Sequence, residues 1–154
     1  MTVSVGDSIP DFTLPTDGGG TIRSDDLRGN PSVLYFYPKD DTSGCTKEAM
    51  AFRDLADPFG TTRARIVGIS RDSVASHDKF KAKHDLNFTL ASDEDGRVCE
   101  AFGVWVEKNM YGKKYMGIER ATFLVDGEGV IRHVWRKVKV PGHAAAVLEA
   151  AQAL

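Results

Sequence analysis

The fold is decided by the stretch Ser32–Pro38, which reads SVLYFYP. A short, nearly all-apolar run that ends at a proline is typical of a strand buried on both faces of a sheet. From about Ser43 to Ala56 the chain is predicted to form an amphipathic helix. The signal is the helical spacing of the apolar residues Ala49, Phe52, Leu55, Ala56 and Phe59. A buried strand that leads into a helix is the repeating unit of α/β proteins.

Strand and helix signals alternate on both sides of this unit. Upstream, a glycine-rich turn between two short strands predicts a hairpin, and Ser24–Gly29 predicts one capped helical turn. Downstream, we expect strands at 65–70, 88–90, 121–125 and 130–135, helices after Asp72 or Ser73, at 96–102 and at the C-terminus, and an ordered loop or short insertion at 103–117. This order predicts one domain over residues 1–154: an α/β fold with a central mixed sheet, flanking helices and an N-terminal hairpin extension.

Composition and charge exclude several classes of protein. The chain has 154 residues, of which 42% are hydrophobic and 27% charged, so it can bury a core and is not disordered. Its net charge of −2 gives no general reason to expect nucleic acid or a membrane surface as a partner. Two cysteines are too few for a disulfide scaffold or a four-thiolate metal site. Since no signal peptide or membrane-spanning run is visible, we expect a cytoplasmic protein.

Cys45 stands out because of where it falls. It follows the buried strand at its C-terminal end, which is where open α/β sheets bind ligands. With Thr42 as the N-cap, Cys45 occupies the third helical position, where free backbone N–H groups and the helix dipole favour a thiolate. Its small polar neighbours differ from those of a packed interior. Taken alone, Cys45 would be interpreted as a small buried side chain and Thr42 as a plain helix cap.

The pattern Pro38-x-x-x-Thr42-x-x-Cys45 matches the signature of the peroxiredoxins, thiol peroxidases with a thioredoxin-like fold. The wider string from Phe36 to Glu48, FYPKDDTSGCTKE, resembles the peroxiredoxin Q subfamily, also called bacterioferritin comigratory protein. Further matching segments follow in the same order and lie at 6–12, 92–96, 102–105 and 117–124. The resemblance therefore covers the chain from about Gly6 onward.

The resemblance implies a role for each matched residue. Cys45 would be the peroxidatic cysteine, which attacks hydrogen peroxide or a small organic hydroperoxide and becomes a sulfenic acid. Thr42 and the nearby backbone N–H groups would hold the peroxide, and Pro38 would shield the site. Arg120 matches the active-site arginine of the family, although an isolated arginine is usually a surface ion-pair partner. No metal, haem or flavin is implied, since the sulfur is the redox centre, and the subfamily resemblance favours a monomer.

This sequence departs from the subfamily at the second cysteine. Many members carry a resolving cysteine five residues after the first, where this chain has Met50, and others carry it in the helix that here contains Phe80–His84. Cys99 matches no resolving position, and we expect it to be buried in a helix. We therefore expect a one-cysteine mechanism, in which thioredoxin, glutaredoxin or a small thiol such as glutathione reduces the sulfenic acid. A Cys45–Cys99 disulfide is the rival mechanism.

Other functions stay open at this point. In a non-catalytic thiol sensor or partner-binding protein, Cys45 would be oxidised once, whereas a peroxidase consumes many equivalents of peroxide with a recycling thiol. A basic and aromatic patch resembles surfaces that bind single-stranded nucleic acid, but in a mildly acidic chain we expect a solvated loop near the active site. That patch comprises Lys108, Tyr111, Lys113, Lys114 and Tyr115. The four histidines form no metal-binding motif.

Overall fold

The structure, a computed structural model, describes residues 3–154. In chain order its strands are β1 Thr13–Pro15, β2 Thr21–Arg23, β3 Ser32–Phe36, β4 Arg65–Ser70, β5 Thr89–Ser92, β6 Trp105–Met110, β7 Lys113–Ile118, β8 Ala121–Val125 and β9 Ile131–Trp135. The α-helices are α1 Ser43–Asp54, α2 Ala56–Thr61, α3 Val74–His84, α4 Arg97–Ala101 and α5 His143–Gln152. Short 3-10 turns lie at Asp17–Gly19 and Ser24–Leu27.

The central sheet has five strands in the order β5-β4-β3-β8-β9. Strand β3 pairs in parallel with β4, and β4 with β5, while β8 is antiparallel to β3 and β9 is antiparallel to β8. The predicted mixed α/β sheet is thus confirmed, and β3, whose five residues are all buried, lies at the centre. The predicted N-terminal hairpin is confirmed as the antiparallel pair of β1 and β2.

The sheet separates two apolar clusters. One contains Val33, Tyr35 and Tyr37 together with residues of α1, α2, α3 and α5. The other contains Leu34 and Phe36 together with α4 and the N-terminal hairpin. Successive residues of a strand point to opposite faces, which is why β3 contributes to both clusters in alternation.

The prediction of a loop or insertion over 103–117 is wrong. The structure has an antiparallel hairpin there, in which β6 pairs with β7 along its whole length. Tyr111 and Gly112 form the two-residue turn, with φ angles of 53° and 80°. Positive φ at both central positions is the geometry of the type I′ turns that join tight hairpins. Both faces of the hairpin are mostly exposed, so it lacks the polar–apolar alternation that would have revealed it.

The remaining differences from the sequence prediction are small. Helix α1 ends at Asp54 rather than Ala56, because Leu55 leaves the helical conformation before α2 begins. Of the two predicted caps of α3, Ser73 is the N-cap, and its hydroxyl accepts a hydrogen bond from the Ser76 N–H. Within residues 3–154, no helix has both the length and the apolar character needed to cross a bilayer.

Candidate active site

Cys45 is carried by the first turn of α1, directly after the loop that leaves β3. Thr42 is the N-cap, with extended backbone at φ −91° and ψ 157°, so Cys45 is the third helical residue as predicted. The prediction that the Thr42 side chain caps the helix is wrong. Its hydroxyl instead donates to the carbonyl oxygen of Lys39 at 2.8 Å, a hydrogen bond within the loop that joins β3 to α1.

The surroundings of Cys45 are more apolar than its sequence neighbours indicate. Its side chain is 1% exposed and belongs to the cluster that includes Tyr35, Tyr37 and Ala49. The prediction that its setting differs from a packed interior is therefore wrong. The small polar residues next to it along the chain lie around the helix end, while the thiol itself packs among apolar side chains in the cluster that contains Tyr35.

Arg120 supplies the charge in this apolar setting. It stands just before β8 and reaches across to the start of α1, where its Nη2 donates to Cys45 Sγ at 3.4 Å. Gly44 permits this approach, because a Cβ at that position would lie 3.1 Å from Nη2. A guanidinium at this position can stabilise negative charge that develops at the sulfur or on a bound oxygen. The structure thus brings together Cys45 and Arg120, which are 75 residues apart in the sequence.

Glu48 completes the group and was not identified from the sequence. Nη1 of Arg120 donates to Glu48 Oε1 at 2.8 Å, and the glutamate is 1% exposed. Within residues 3–154 its second oxygen, Oε2, is buried and accepts no hydrogen bond. Burial raises the pKa of Glu48 to about 7, although the charge of Arg120 and its hydrogen bond oppose that rise. The sequence does contain a signal, because Glu48 lies three residues after Cys45, on the same helix face.

The guanidinium of Arg120 therefore bridges two groups that can both carry negative charge. Burial opposes the positive charge of Arg120, but Glu48 and Cys45 outweigh that effect and raise the pKa of the arginine. When Glu48 is protonated, the cation interacts mainly with the sulfur. When Glu48 is ionised, thiolate and carboxylate share one cation.

A buried polar network holds the loop that contains Pro38 and Thr42. Asp40 accepts from the Tyr37 hydroxyl at 2.5 Å and lies 2.7 Å from Nδ1 of His77. The other ring nitrogen of His77 lies 3.0 Å from the Ala91 carbonyl oxygen. Burial alone would lower the pKa of His77, but Asp40 outweighs burial and raises it. The loop is thereby anchored to α3.

The same network is the one group of side chains in residues 3–154 with spacing suited to a metal ion. One ligand atom each from Asp40, Asp72 and His77 lies within 4.8 Å of the others. These atoms are already used in hydrogen bonds: Asp72 Oδ2 accepts from Ser70 and from the Asp40 N–H. We interpret the group as structural.

Cys99 lies far from this chemistry. It is fully buried, in the apolar cluster on the opposite side of the sheet from Cys45, together with Val98 and Phe102, as predicted. Its backbone N–H donates to Asp93 Oδ2 at 2.7 Å. Burial and the neighbouring carboxyl group of Asp93 raise the pKa of the Cys99 thiol far above its ordinary value, so this thiol stays protonated and unreactive.

Comparison with known proteins agrees with this geometry. Residues 5–134 match the AhpC/TSA family. The chain is 57% identical over 148 residues to the putative peroxiredoxin bcp of Coxiella burnetii, covering 96% of this chain and 98% of the relative. It is 50% identical over 149 residues to peroxiredoxin Bcp of Bacillus subtilis, covering 97% and 95%.

Solved structures show the same relationship. The bacterioferritin comigratory protein of Xanthomonas campestris superposes with a TM-score of 0.88 at 50% identity, covering 92% of this chain and 90% of that one. A crystal structure of PrxQ from Xylella fastidiosa gives a TM-score of 0.94 at 41% identity, covering 99% and 98%. The predicted thioredoxin-like fold is thereby confirmed. The chain belongs to the AhpC/TSA family and is a thiol-dependent peroxidase of the peroxiredoxin Q, or Bcp, type.

Proposed function

We propose that this enzyme reduces hydrogen peroxide and small organic hydroperoxides at Cys45 by a one-cysteine mechanism. The observation that carries the proposal is the contact between the Arg120 guanidinium and Cys45 Sγ in the first turn of α1. The Xanthomonas relative is described by its alkyl peroxide reduction activity, which supports an organic hydroperoxide as one substrate.

The chemistry follows from the charges at the site. The Cys45 thiolate attacks the terminal oxygen of the peroxide, an S–O bond forms, and the O–O bond breaks. The departing oxygen gains negative charge and leaves as water or an alcohol after taking a proton. Arg120 and the free N–H groups at the start of α1 stabilise that charge in the transition state. Cys45 is left as a sulfenic acid.

We assign Pro38 and Thr42 to shaping the site. Pro38 lies in the loop between β3 and α1 and shields the thiol from solvent. The Thr42 hydroxyl donates to Lys39, so its oxygen keeps its lone pairs free to accept a hydrogen bond from a bound hydroperoxide. This geometry supports a role for Thr42 in orienting the substrate.

Recycling by an external thiol is supported by the positions of the two cysteines. The five-stranded sheet lies between the clusters that contain Cys45 and Cys99, so a disulfide between them would require large-scale unfolding. Position 50 holds a methionine, which cannot form a disulfide. Thioredoxin, glutaredoxin or a small thiol would then reduce the sulfenic acid, in the reducing cytoplasm that we expect for this protein.

Multiple-turnover kinetics test the proposal. Wild-type protein should consume many equivalents of hydrogen peroxide when a recycling thiol is supplied, Cys45→Ser should consume none, and Cys99→Ser should match wild type. Consumption of a single equivalent by wild type, with every thiol tried, would instead indicate a redox sensor. Full activity of the Cys45→Ser variant would exclude Cys45 as the reacting thiol.

A further inference from the structure

A groove runs beside the active site and has no role in the steps above. It has a volume of about 500 Å³ and lies between the loop after β3 and the β6–β7 hairpin. Pro38 and Lys39 form one wall, and Trp105, Lys108 and Met116 belong to the other. Pro38 lines the groove and also belongs to the loop that leads to Cys45, so the groove and the reaction centre share this loop.

The groove is rich in positive charge that is not neutralised. Lys39, Arg71 and Lys108 line it, and within residues 3–154 none of the three forms an ion pair with a carboxylate. Arg71 instead donates to the Glu94 carbonyl oxygen at 2.9 Å and stacks over the Trp105 ring at 4.4 Å. Glu94 supplies the one carboxylate of the lining. In a chain of net charge −2, this concentration of cations favours an anionic ligand.

Lys108 contributes a cation to the wall of the groove that the β6–β7 hairpin forms. Its side chain is half-buried, and its stem lies across Gly117 on the paired strand, where a Cβ would be 3.3 Å from Lys108 Cδ. Burial and the positive charge of Arg120 lower the pKa of Lys108, and the negative charge of Cys45 partly offsets them. Lys108 is therefore close enough to Arg120 and Cys45 for their charges to affect its pKa. An unpaired, half-buried cation is stabilised by an anion that enters the groove.

We propose that this groove binds a small carboxylate-bearing thiol, the reductant that recycles Cys45, with Lys108 as the residue that selects for its negative charge. The inference rests on the one-cysteine function proposed above. Hydrogen peroxide is small and neutral, so it has no need of a charged groove of this size. The sulfenic acid, in contrast, must be met by a thiol from solvent, since Cys99 lies behind the sheet.

Recycling takes two steps, a condensation of one thiol with the sulfenic acid and then a thiol–disulfide exchange with a second thiol. The thiolate of the reductant attacks the sulfur of the Cys45 sulfenic acid, an S–S bond forms, the S–O bond breaks, and hydroxide leaves as water after taking one proton. A second molecule of the same thiol attacks the sulfur of the bound reductant. Cys45 departs as a thiolate, and the two reductant molecules leave as their disulfide. Cations in the groove favour both incoming thiolates.

The test measures selectivity between thiols, on protein whose Cys45 has first been converted to the sulfenic acid with hydrogen peroxide. Reduction is followed by stopped flow with glutathione, which carries carboxylates, and with the neutral 2-mercaptoethanol. In Lys108→Met the glutathione-to-mercaptoethanol rate ratio should fall about fivefold, as expected for loss of one partly exposed ion pair. Glu94→Gln should raise the ratio. Lys113→Met, on the same hairpin but outside the groove lining, should leave it unchanged.

A comparison of peroxides tests whether the carboxylate that the groove selects belongs to the thiol or to the peroxide. The same variants are oxidised by cumene hydroperoxide and by a hydroperoxide that bears a carboxylate. The measured ratio compares the rate constant for the carboxylate-bearing hydroperoxide with that for cumene hydroperoxide. A change of this ratio in Lys108→Met without a change of the thiol ratio would overturn the proposal. Equal losses of rate constant with glutathione and with mercaptoethanol would overturn it too. Failure of wild-type Cys45 to form a sulfenic acid at all would count against the proposed function instead.

Discussion

Replacing Glu48 by glutamine should change how the stability of this protein depends on pH. The glutamate is 1% exposed, and burial raises its pKa from 4.5 to about 7 despite its contact with Arg120. Between these two values the folded state binds more protons than the unfolded state. The free energy of unfolding therefore falls as the pH rises through this window. Glutamine does not titrate and removes that dependence.

The size of the effect follows from the pKa change. A rise from 4.5 to about 7, at about 1.4 kcal/mol per unit, gives a loss of about 3 kcal/mol across the window in wild type. The glutamine amide also has to be accommodated in the buried site, which shifts its whole stability curve by a constant amount. This constant does not affect the slope of unfolding free energy against pH, so the slopes of the two proteins can be compared directly.

Urea unfolding at a series of pH values between 4.5 and 8 measures the slopes. The stability of Glu48→Gln relative to wild type should increase by about 3 kcal/mol from the acid to the alkaline end. Other titrating groups, such as His77 and His143, are the same in both proteins and cancel in the difference. Glu149→Gln, at an exposed position of α5, should keep the wild-type slope. Parallel curves for wild type and Glu48→Gln would show that Glu48 does not titrate in this window.

Two further substitutions probe the site. Arg120→Met should lower the rate constant for Cys45 oxidation by hydrogen peroxide by about 10²–10³-fold in stopped flow. Adding Glu48→Gln to this variant should recover stability but not rate, because it removes only the buried carboxylate that has lost its partner. Recovery of the rate constant in the double variant would show that Arg120 acts structurally. Met50→Cys should convert the peroxide-treated protein to an intramolecular disulfide, detected as loss of two hydrogens. Positions 45 and 50 are separated by a rise of about 7.5 Å along α1, which is more than the roughly 7 Å that a disulfide can span between Cα atoms. The disulfide therefore needs local unwinding of α1, and a sulfenic acid that persists in Met50→Cys would show that the helix does not unwind.

Much of the fold could be predicted from the sequence because its signals are local. The run Ser32–Tyr37 marked the central strand, and the spacing of apolar residues marked α1. The β6–β7 hairpin could not be found this way. Its pairing depends on a Tyr111-Gly112 turn with two positive φ angles, and tyrosine is an unusual residue for that geometry.

The site was predictable where helix position alone determines it, as for Cys45. The contacts that adjust its charge join distant parts of the chain. Arg120 reaches Cys45 and Glu48 only because β8 pairs antiparallel with β3. This pairing places the start of β8 beside the end of β3, and hence beside α1, which follows β3. The apolar burial of the thiol likewise comes from tertiary packing. The sequence beside Cys45 is polar and gives no indication of it.

The mass of the intact protein after treatment with one equivalent of hydrogen peroxide, under non-reducing conditions, tests most directly whether one cysteine performs the reaction. We expect a gain of one oxygen, located at Cys45 by trapping with a sulfenic acid reagent, and absent from Cys45→Ser. Loss of two hydrogens in wild type, with peptide mapping that joins Cys45 to Cys99, would contradict the one-cysteine mechanism.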